Sequence, residues 1–414
     1  MKITNVEVFK FFPKKAAADD KWNTWPIAKP ISAYEDFFKA KNLDIQDLVA
    51  GACVVKITAE DGTYGLGSTG LYRESASFLD ECLKPHLLGL DALEIEYVWD
   101  IMYKTCCAYG RTGLLIHAIS AIDIALWDLY GKLIKQPVYQ LLGGKVRDKI
   151  KAYATGPDFQ LYHDMGYKAA KIPMPYGAMH GKEGLKKNIE TLEYVAGIMG
   201  SDAELMLDCW MSWDTDYTIQ IAKELQNFNV RWVEEPTMPD DYDGYKRCRE
   251  ILNKKGILVS GGEHEFTRWG ARKLVEWGCV DILQCDVGYA GGISELRKIN
   301  AYAKAHDVKL IPHSNSIPTL HFSIASTNSP FAETLMHKNV SSLFTNQPEV
   351  KDGYIDLPDT PGFGYEIDWN YGPHYKYEDG KYIYDDKFRA NLKDGLMVNV
   401  GIPTDDNKYV RGNE

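Results

Sequence analysis

The chain contains 414 residues, of which 45% are hydrophobic and 25% charged, and its 58 acidic residues outnumber its 47 lysines and arginines. This composition is typical of a globular protein and excludes wholesale disorder. The net charge of −11 argues against a nucleic-acid partner, whose phosphates would require a basic surface. An anionic ligand would therefore have to be held by local chemistry and not by net charge.

Neither a membrane nor the secretory pathway is indicated by the sequence. No run of 18 or more apolar residues is present, and the N-terminal stretch alternates polar and apolar residues instead of carrying the apolar core of a signal peptide. The eight cysteines are scattered, without a CxxC pair, which favours reduced thiols. We therefore expect a cytoplasmic protein with no membrane partner.

Residues 1–145 are predicted to form an α+β domain. The N-terminal stretch and the segment 53–69 alternate like antiparallel strands, and Asp61-Gly62 in the second is a strong hairpin turn signal. Helical patterns follow, the last of which, TGLLIHAISAIDIALWDLYGKLIK, ends before Pro137. The string Gly65 to Gly70 matches GxGxxG, but it follows a hairpin and opens no apolar helix, so we interpret it as a glycine-rich strand end or a mobile loop and not as a dinucleotide site.

Residues 146–345 carry a different rhythm, in which short β-rich runs alternate with stretches of helical length. The predicted strands are 150–155, 167–172, 204–208, 230–235, 257–262, 280–286, 308–313 and 331–336. Strands that alternate with helices indicate a parallel sheet. Eight of them favour a closed barrel, with a doubly wound open sheet as the alternative. The residues beyond 345 are rich in Tyr, Asp and Gly and lose this rhythm.

Active sites of such barrels lie where the strands end. The polar residues at the predicted strand ends are Lys171, Asp208, Glu234, Glu263, Asp286, His313 and Glu333. Three consecutive strand ends thus present one carboxylate each, which suits a hard divalent cation, Mg²⁺ above all. A single carboxylate in this place is more often merely solvated, but three in succession favour coordination by Asp208, Glu234 and Glu263.

His313 is the candidate base. A lone histidine after an apolar strand is more often structural, but Asp286 at the preceding strand end is placed to hold its second nitrogen. A histidine base opposite Mg²⁺ suits removal of a proton next to a carboxylate. Glu333, if protonated, would donate a hydrogen bond to the developing negative charge.

At these residues the sequence resembles the enolase superfamily, mandelate racemase subgroup, and within it the acid sugar dehydratases of the L-rhamnonate type. The motifs that carry the resemblance are AISAIDIALWDLYGK (118–132), LMLDCWMSWD (205–214), WVEEP (232–236), SGGEHE (260–265), ILQCDVGYAGG (282–292), IPHSNS (311–316) and NSPFAETLM (328–336). The resemblance implies an α/β fold with a (β/α)7β-type TIM barrel. Its α+β cap would be formed by residues 1–145 together with the C-terminal segment 346–414.

The resemblance also implies roles. Asp208, Glu234 and Glu263 would bind Mg²⁺, the Asp286–His313 dyad would take the proton alpha to the substrate carboxylate, and Glu333 would stabilise the enediolate. Glu235 is expected to bind a neighbouring side chain by hydrogen bonds. His264 is expected to orient the substrate, although a structural role is nearly as plausible. Lys171 would pair with the substrate carboxylate.

One position departs from the pattern of many relatives, which carry KxK at the end of the second barrel strand. Here the string is Lys171-Ile172-Pro173, and proline transfers no proton. We therefore expect one-base chemistry, in which His313 removes the C2 proton and returns a proton to the departing C3 hydroxyl. The product would be a 2-keto-3-deoxy sugar acid.

The choice of sugar acid is expected to depend on the cap. The candidates are Lys21, Trp22, Trp25 and Arg73, and the substrate would be L-rhamnonate or a related acid such as L-lyxonate or L-mannonate. An epimerase or cycloisomerase of the same superfamily, or a non-catalytic sugar-binding barrel, are the alternatives. We expect a homo-oligomer, with a tail beyond residue 368 that covers an interface or extends the cap.

Overall fold

The computed structural model describes residues 1–12, 21–34, 51–72, 74–335, 343–371, 374–378 and 381–384. Its first layer is a five-stranded antiparallel sheet built from both ends of the chain. The strands are β1 (Ile3–Phe11), β2 (Ala52–Ala59), β3 (Tyr64–Tyr72), β14 (His374–Glu378) and β15 (Lys381–Tyr384), in the order β15-β14-β1-β2-β3. The hairpin between β2 and β3 turns at Gly62, whose φ of +85° suits glycine. The Asp61-Gly62 turn is therefore where the sequence predicted it.

Helices follow β3 in the chain, and the longest of them packs on this sheet. They are α1 (Ser75–Ser77), α2 (Lys84–Leu87), α3 (Ile95–Cys106), α4 (Leu114–Leu133) and α5 (Val138–Leu141). Helix α4 lies directly on β3, because two glycines of the GxGxxG string leave it room. A Cβ at Gly65 would lie 2.0 Å from the Ala125 carbonyl oxygen, and one at Gly67 would lie 2.0 Å from that of Ala121. The glycines thus serve helix–sheet packing.

Helix α4 is long and apolar enough to cross a membrane by length and composition, but 83% of its most apolar window is buried inside the protein. Its side chains face the sheet on one side and the barrel on the other. This helix is accordingly the central core helix of the cap.

Eight parallel strands form the second layer. They are β4 (Ile150–Thr155), β5 (Ala169–Pro173), β6 (Glu204–Asp208), β7 (Val230–Glu234), β8 (Leu258–Gly261), β9 (Ile282–Leu283), β10 (Lys309–Leu310) and β11 (Phe331–Leu335). Strands β4 to β10 are neighbours in chain order, and β11 returns to pair with β4. Side chains from all eight strands meet in one interior, so the sheet is a barrel and the open-sheet alternative is wrong.

Seven helices connect these strands, one after each of β4 to β10. They are α6 (Phe159–Asp164), α7 (Gly181–Met199), α8 (Thr215–Ile221), α9 (Tyr242–Asn253), α10 (Thr267–Glu276), α11 (Gly292–Ala305) and α12 (Ile317–Ala325). Two short strands, β12 (Val350–Lys351) and β13 (Tyr354–Ile355), then form a hairpin, and β13 pairs antiparallel with the first two residues of β4. The predicted fold class, a (β/α)7β barrel under an α+β cap, is confirmed, while the domain boundaries at 145 and 345 stay predictions.

Two predicted segments are shorter in the structure. The strands expected over 280–286 and 308–313 are only two residues long, because the chain leaves the ladder early to reach the barrel mouth. Both early exits deliver polar residues to the same edge of the barrel.

The barrel interior is layered. Its apolar layer consists of Tyr153, Ala169, Met206, Trp232, Leu258, Ile282, Ile311 and Phe331, one residue from each strand or its continuation. Because side chains alternate along a strand, the residue two positions later points to the same side. The apolar layer is therefore the floor on which the next inward-facing residue of every strand rests.

The contact between β3 and α4 makes a sharp prediction. Gly67→Ala should destabilise the protein by about 3 kcal/mol, because its methyl group would overlap the backbone of α4, which cannot move aside like a side chain. Gly197→Ala is the matched control: a Cβ there meets nothing within 4 Å, so alanine should stabilise α7 by about 0.5–1 kcal/mol. Chemical unfolding of both variants measures the two effects, and a Gly67→Ala protein as stable as the parent would contradict the packing.

Candidate active site

A polar layer lies on the apolar floor of the barrel. Its members are Thr155, Lys171, Asp208, Glu234, Ser260, Gln284, His313 and Glu333, each two residues beyond a member of the apolar layer. Glu263 and Asp286 lie further outward, in the segments that follow β8 and β9. The structure therefore brings together all seven strand-end residues that the sequence singled out.

Lys171 is the central cation of this layer. Its side chain is 1% exposed, and its Nζ lies 2.6 Å from Glu234 Oε1, 2.9 Å from Glu333 Oε1 and 3.7 Å from Asp208 Oδ2. Burial lowers the pKa of Lys171, but these carboxylates outweigh burial and raise the pKa well above its usual value. Lys171 is thus held as a charged ammonium.

Glu333 is held in its ionised form. Burial alone would raise the pKa of Glu333, but Lys171 and His313 outweigh burial and lower it to about 2. Its carboxylate also accepts hydrogen bonds from Thr155 Oγ1 (2.5 Å) and from the backbone N–H of Ser314 (2.9 Å). The sequence-based expectation required a protonated Glu333, whereas every donor around it here favours the carboxylate.

His313 and Asp286 form the expected pair. Nδ1 of His313 lies 2.9 Å from Asp286 Oδ2, and the other oxygen of Asp286 accepts the backbone N–H of Gly288 at 2.5 Å. Nε2 of His313 faces Glu263 Oε1 at 3.4 Å. Burial lowers the pKa of His313, but Glu263, Glu333 and Asp286 outweigh it and raise the pKa to about 10.

The remaining carboxylates are crowded and buried. Burial raises the pKa of Asp208 well above its usual value, and Glu234 and Glu263 raise it further. Burial likewise raises the pKa of Glu263. Glu234 is oriented by Gln284 Nε2 at 2.7 Å and by Trp232 Nε1 at 3.2 Å, which both donate to its second oxygen. The barrel mouth therefore concentrates negative charge that a further cation would relieve.

Glu235 turns away from the barrel axis and pairs with His264. Its two oxygens lie 2.9 and 3.1 Å from His264 Nδ1. Burial lowers the pKa of His264, but Glu235 and Glu263 outweigh burial and raise it to about 10. Within the described part of the chain, Glu235, Glu263 and His264 are the group whose ligand atoms all lie within 4.8 Å of one another, which differs from the predicted triad of Asp208, Glu234 and Glu263.

The cap segment Lys21–Asn23 and the residues after it lie over the ends of β4 and β5. Lys21 Nζ pairs with Asp158 Oδ1 at 2.5 Å. The indole of Trp22 covers Gly156, and Trp25 Nε1 donates to the carbonyl oxygen of Pro173 at 2.8 Å. These contacts fasten the segment to the barrel, whereas Arg73 lies outside the described residues.

Several residues at the barrel mouth were not predicted from the sequence. Thr155 and Gln284 belong to the polar layer, and strict alternation from Tyr153 and Ile282 would have found them.

His117 of α4 is a buried cap histidine whose ring lies 4.7 Å from that of Tyr289, which in turn lies 6.2 Å from the ring of His313. Burial and the charge of His264 lower the pKa of His117 to about 3, so it is neutral. No local pattern distinguishes it from other residues of a core helix.

The fold and the site together define an enolase-type capped barrel. Residues 47–143 match the mandelate racemase / muconate lactonizing enzyme N-terminal domain family, and residues 159–371 match the enolase C-terminal domain-like family. The chain belongs to the enolase superfamily. The resemblance stated from the motifs is therefore confirmed.

Known relatives are similar over nearly the whole chain. An L-rhamnonate dehydratase of Saccharopolyspora erythraea is 39% identical over 358 residues, which cover 84% of this chain and 91% of that protein. The crystal structure of a rhamnonate dehydratase from Gibberella zeae complexed with Mg is 33% identical with a TM-score of 0.83, covering 89% of this chain and 95% of that one. A 3,6-anhydro-D-galactonate cycloisomerase from Zobellia galactanivorans is 30% identical with a TM-score of 0.75, covering 89% and 98%.

The position of Lys171 makes a prediction about stability. Lys171→Met should destabilise the protein in EDTA by about 3–5 kcal/mol, because it leaves buried carboxylates without their cation. Lys151→Met is the matched control, since Lys151 also lies on a barrel strand and pairs with Glu204, but its side chain is 35% exposed. Chemical unfolding of both variants measures the difference, and equal losses would contradict the role given to Lys171.

Proposed function

We propose that this protein is an acid sugar (aldonate) dehydratase. It is a hydro-lyase that removes the C2 proton of an aldonate and eliminates the C3 hydroxyl to give a 2-keto-3-deoxy acid. The observation that carries the proposal is the Asp286–His313 pair, which faces Glu263 on one side and the Lys171–Glu333 pair on the other. The L-rhamnonate dehydratases among its relatives make L-rhamnonate the first candidate substrate.

The donor set at the mouth fits Mg²⁺. Asp208, Glu234 and Glu263 offer only carboxylate oxygens, which are the ligands that hard cations prefer. Burial raises the pKa values of Asp208 and Glu263, and neighbouring carboxylates raise them further. We assign the cation to this set, because Glu235 and His264 already form a mutual ion pair. When bound, the cation supplies positive charge beside the substrate carboxylate, where the negative charge develops.

His313 is the proton-transfer residue of the proposal. Asp286 holds its Nδ1, so that Nε2 points to the space between Glu263 and Glu333, 3.4 and 3.8 Å away. The strong hydrogen bond to Asp286 fixes the ring and raises its basicity. We assign both proton steps to Nε2: the neutral ring, which a cation held by Glu263 would favour over the charged ring, takes the C2 proton and then protonates the leaving C3 hydroxyl on the same face.

The opposite face carries no second base in this proposal. The last residue of β5 is Pro173, whose carbonyl oxygen is occupied by Trp25. Lys171 is two positions earlier and remains protonated among Glu234, Glu333 and Asp208, so we assign it to electrostatic stabilisation of the substrate. A racemase that exchanges protons on both faces is therefore disfavoured, while elimination from one face needs His313 alone.

Residues around the proton-transfer site are assigned to substrate binding and not to proton transfer. We propose that the neutral His117 and the charged His264 bind hydroxyl groups of the sugar chain, and that Lys21, Trp22 and Trp25 hold the cap segment above them. All eight cysteines are free thiols, in keeping with a cytoplasmic enzyme. A homo-oligomer stays part of the proposal.

The test is a substrate screen. The purified protein is incubated with Mg²⁺ and a panel of five- and six-carbon aldonates, including L-rhamnonate, L-lyxonate and L-mannonate, and 2-keto-3-deoxy products are detected with semicarbazide. We expect one or a few stereochemically related acids to be dehydrated. A 3,6-anhydro sugar acid is included, because ring opening of that compound alone would favour a cycloisomerase. Failure to turn over any aldonate would refute the proposed function.

The substitution His313→Asn tests whether His313 is the base. The variant should lower kcat by about 1,000-fold, because positioned acid–base groups contribute roughly 10²–10⁴, while Mg²⁺ binding measured by calorimetry stays close to that of the parent. His163→Asn is the control, since that histidine is half exposed and lies on α6. Retention of turnover in His313→Asn would show that another group takes the proton.

A further inference from the structure

Helix α4 carries the motif AISAIDIALWDLYGK, to which the proposed reaction gives no role. One face of this helix, formed by Ser120, Asp123 and Trp127, is turned to the barrel. The Ser120 hydroxyl accepts the backbone N–H of Gly291 at 2.9 Å, Asp123 Oδ2 accepts that of Ser294 at 3.0 Å, and Trp127 Nε1 donates to Ser294 Oγ at 2.9 Å. All three bonds end on the first turn of the barrel helix α11. We call these three residues the locking face.

The turn held by the locking face is the continuation of the segment that presents Asp286. The carboxylate of Asp286 accepts the N–H of Gly288, and its backbone carbonyl accepts the N–H groups of Tyr289 and Ala290. The N–H of Gly292 closes the segment by bonding to the Val287 carbonyl at 3.1 Å. Any shift of the first turn of α11 is therefore passed through six residues to the carboxylate that orients His313.

A second cap helix holds the same turn. Trp99 Nε1 of α3 donates to the Gly291 carbonyl oxygen at 2.8 Å, so both backbone polar groups of Gly291 are bound by side chains of the cap. Gly292 has a φ of +83°, and a Cβ there would lie 2.3 Å from Asp123 Oδ2. The absence of a side chain at Gly292 thus allows the Asp123 carboxylate to approach the start of α11 closely.

We propose that the locking face is the positioning element of the catalytic dyad. Ser120 and Asp123 bind no substrate; they hold the Asp286–Gly292 segment from the cap, so that Asp286 keeps His313 in its reactive orientation. This inference rests on the proposed function, since it assigns Asp286 and His313 to proton transfer. It gives the cap a part in the chemistry besides covering the substrate.

Two further observations support the proposal. Asp123 is 0% exposed, and its second oxygen, Oδ1, has no hydrogen-bond partner within the described structure. Burial raises the pKa of Asp123 to about 7. Burying the Asp123 carboxyl group costs free energy. We infer that its role is to accept a backbone N–H at the start of α11, where a helix leaves N–H groups unpaired.

The opposite face of α4 supplies a matched control. Asp128 is equally buried, but it accepts the N–H groups of Leu66 and Phe363, which belong to β3 and the C-terminal segment. It therefore joins the parts of the cap to one another and has no link to Asp286. Loss of either carboxylate should lower the stability of the protein, but only loss of Asp123 should reach the dyad.

The experiment compares Asp123→Ala, Asp123→Asn and Asp128→Asn by steady-state kinetics on the best aldonate and by hydrogen–deuterium exchange of the segment 286–294. We expect Asp123→Ala to lower kcat about 10- to 100-fold with KM within about threefold, and to speed exchange of this segment about tenfold. Asp123→Asn should recover most of kcat, because its amide oxygen still accepts the Ser294 N–H. Asp128→Asn should change the melting temperature without changing exchange of the segment.

The outcomes separate the two proposals. A kcat of Asp123→Ala equal to that of Asp128→Asn, or an Asp123→Asn enzyme as impaired as Asp123→Ala, would overturn the positioning role. If Asp123→Ala fails to fold, Ser120→Ala removes one bond alone, and unchanged exchange and unchanged kcat in that variant would overturn it equally. If the parent protein dehydrates no aldonate, the proposed function fails, while the exchange measurement still decides whether the locking face holds the segment.

Discussion

The buried ammonium of Lys171 is the interaction on which the barrel mouth depends. It joins β5 to carboxylates of β6, β7 and β11, at distances of 3.7, 2.6 and 2.9 Å. Removing a carboxylate from water costs several kcal/mol, and this cost is met only when a counter-charge and hydrogen bonds are in place. One lysine does not balance six carboxylates, even with two charged histidines. The buried side chains of the site are therefore packed and hydrogen-bonded, but negative charge remains in excess. This excess favours the binding of a divalent cation.

The floor of the barrel decides where these charges stand. Tyr153, Trp232 and their neighbours fill the interior with side chains too large to leave a channel, so the polar layer above them is sealed from below. Trp232 also donates its indole N–H to Glu234, which makes one residue part of both the floor and the site. The polar layer therefore faces the cap, whose segment with Trp22 and Trp25 contacts the ends of β4 and β5.

Alternation and spacing made much of this arrangement predictable from the sequence. Strands of one barrel end at one edge, so residues such as Asp208, Glu234 and Glu263 had to converge whatever their loops did. Contacts between distant segments were beyond such reasoning. The pairing of Lys171 with Glu333 depends on β11 closing beside β4, and His117 reaches the mouth only because α4 crosses the barrel. The role given to a protonated Glu333 did not take the neighbouring Lys171 into account. The local context of GxGxxG was enough to exclude a phosphate loop, and the structure places these glycines in β3.

Backbone strain marks the same edge of the barrel. Trp210, Met211, Glu235 and Ser314 have φ values of 41°, 63°, 43° and 84°, a region in which residues other than glycine cost of order 1–3 kcal/mol. Each lies one to three residues beyond a member of the polar layer, and each has its N–H bound. The acceptors are the Glu333 carboxylate for Ser314, the Asp208 carboxylate for Trp210, the Glu235 carbonyl for Met211 and the Ser260 carbonyl for Glu235. The carboxylates of Glu333 and Asp208 thus bind the N–H groups of two of these strained residues, and backbone carbonyls bind the other two. A site built in this way resists relaxation when its charge changes, which an enzyme needs if a proton is to leave and return at one histidine.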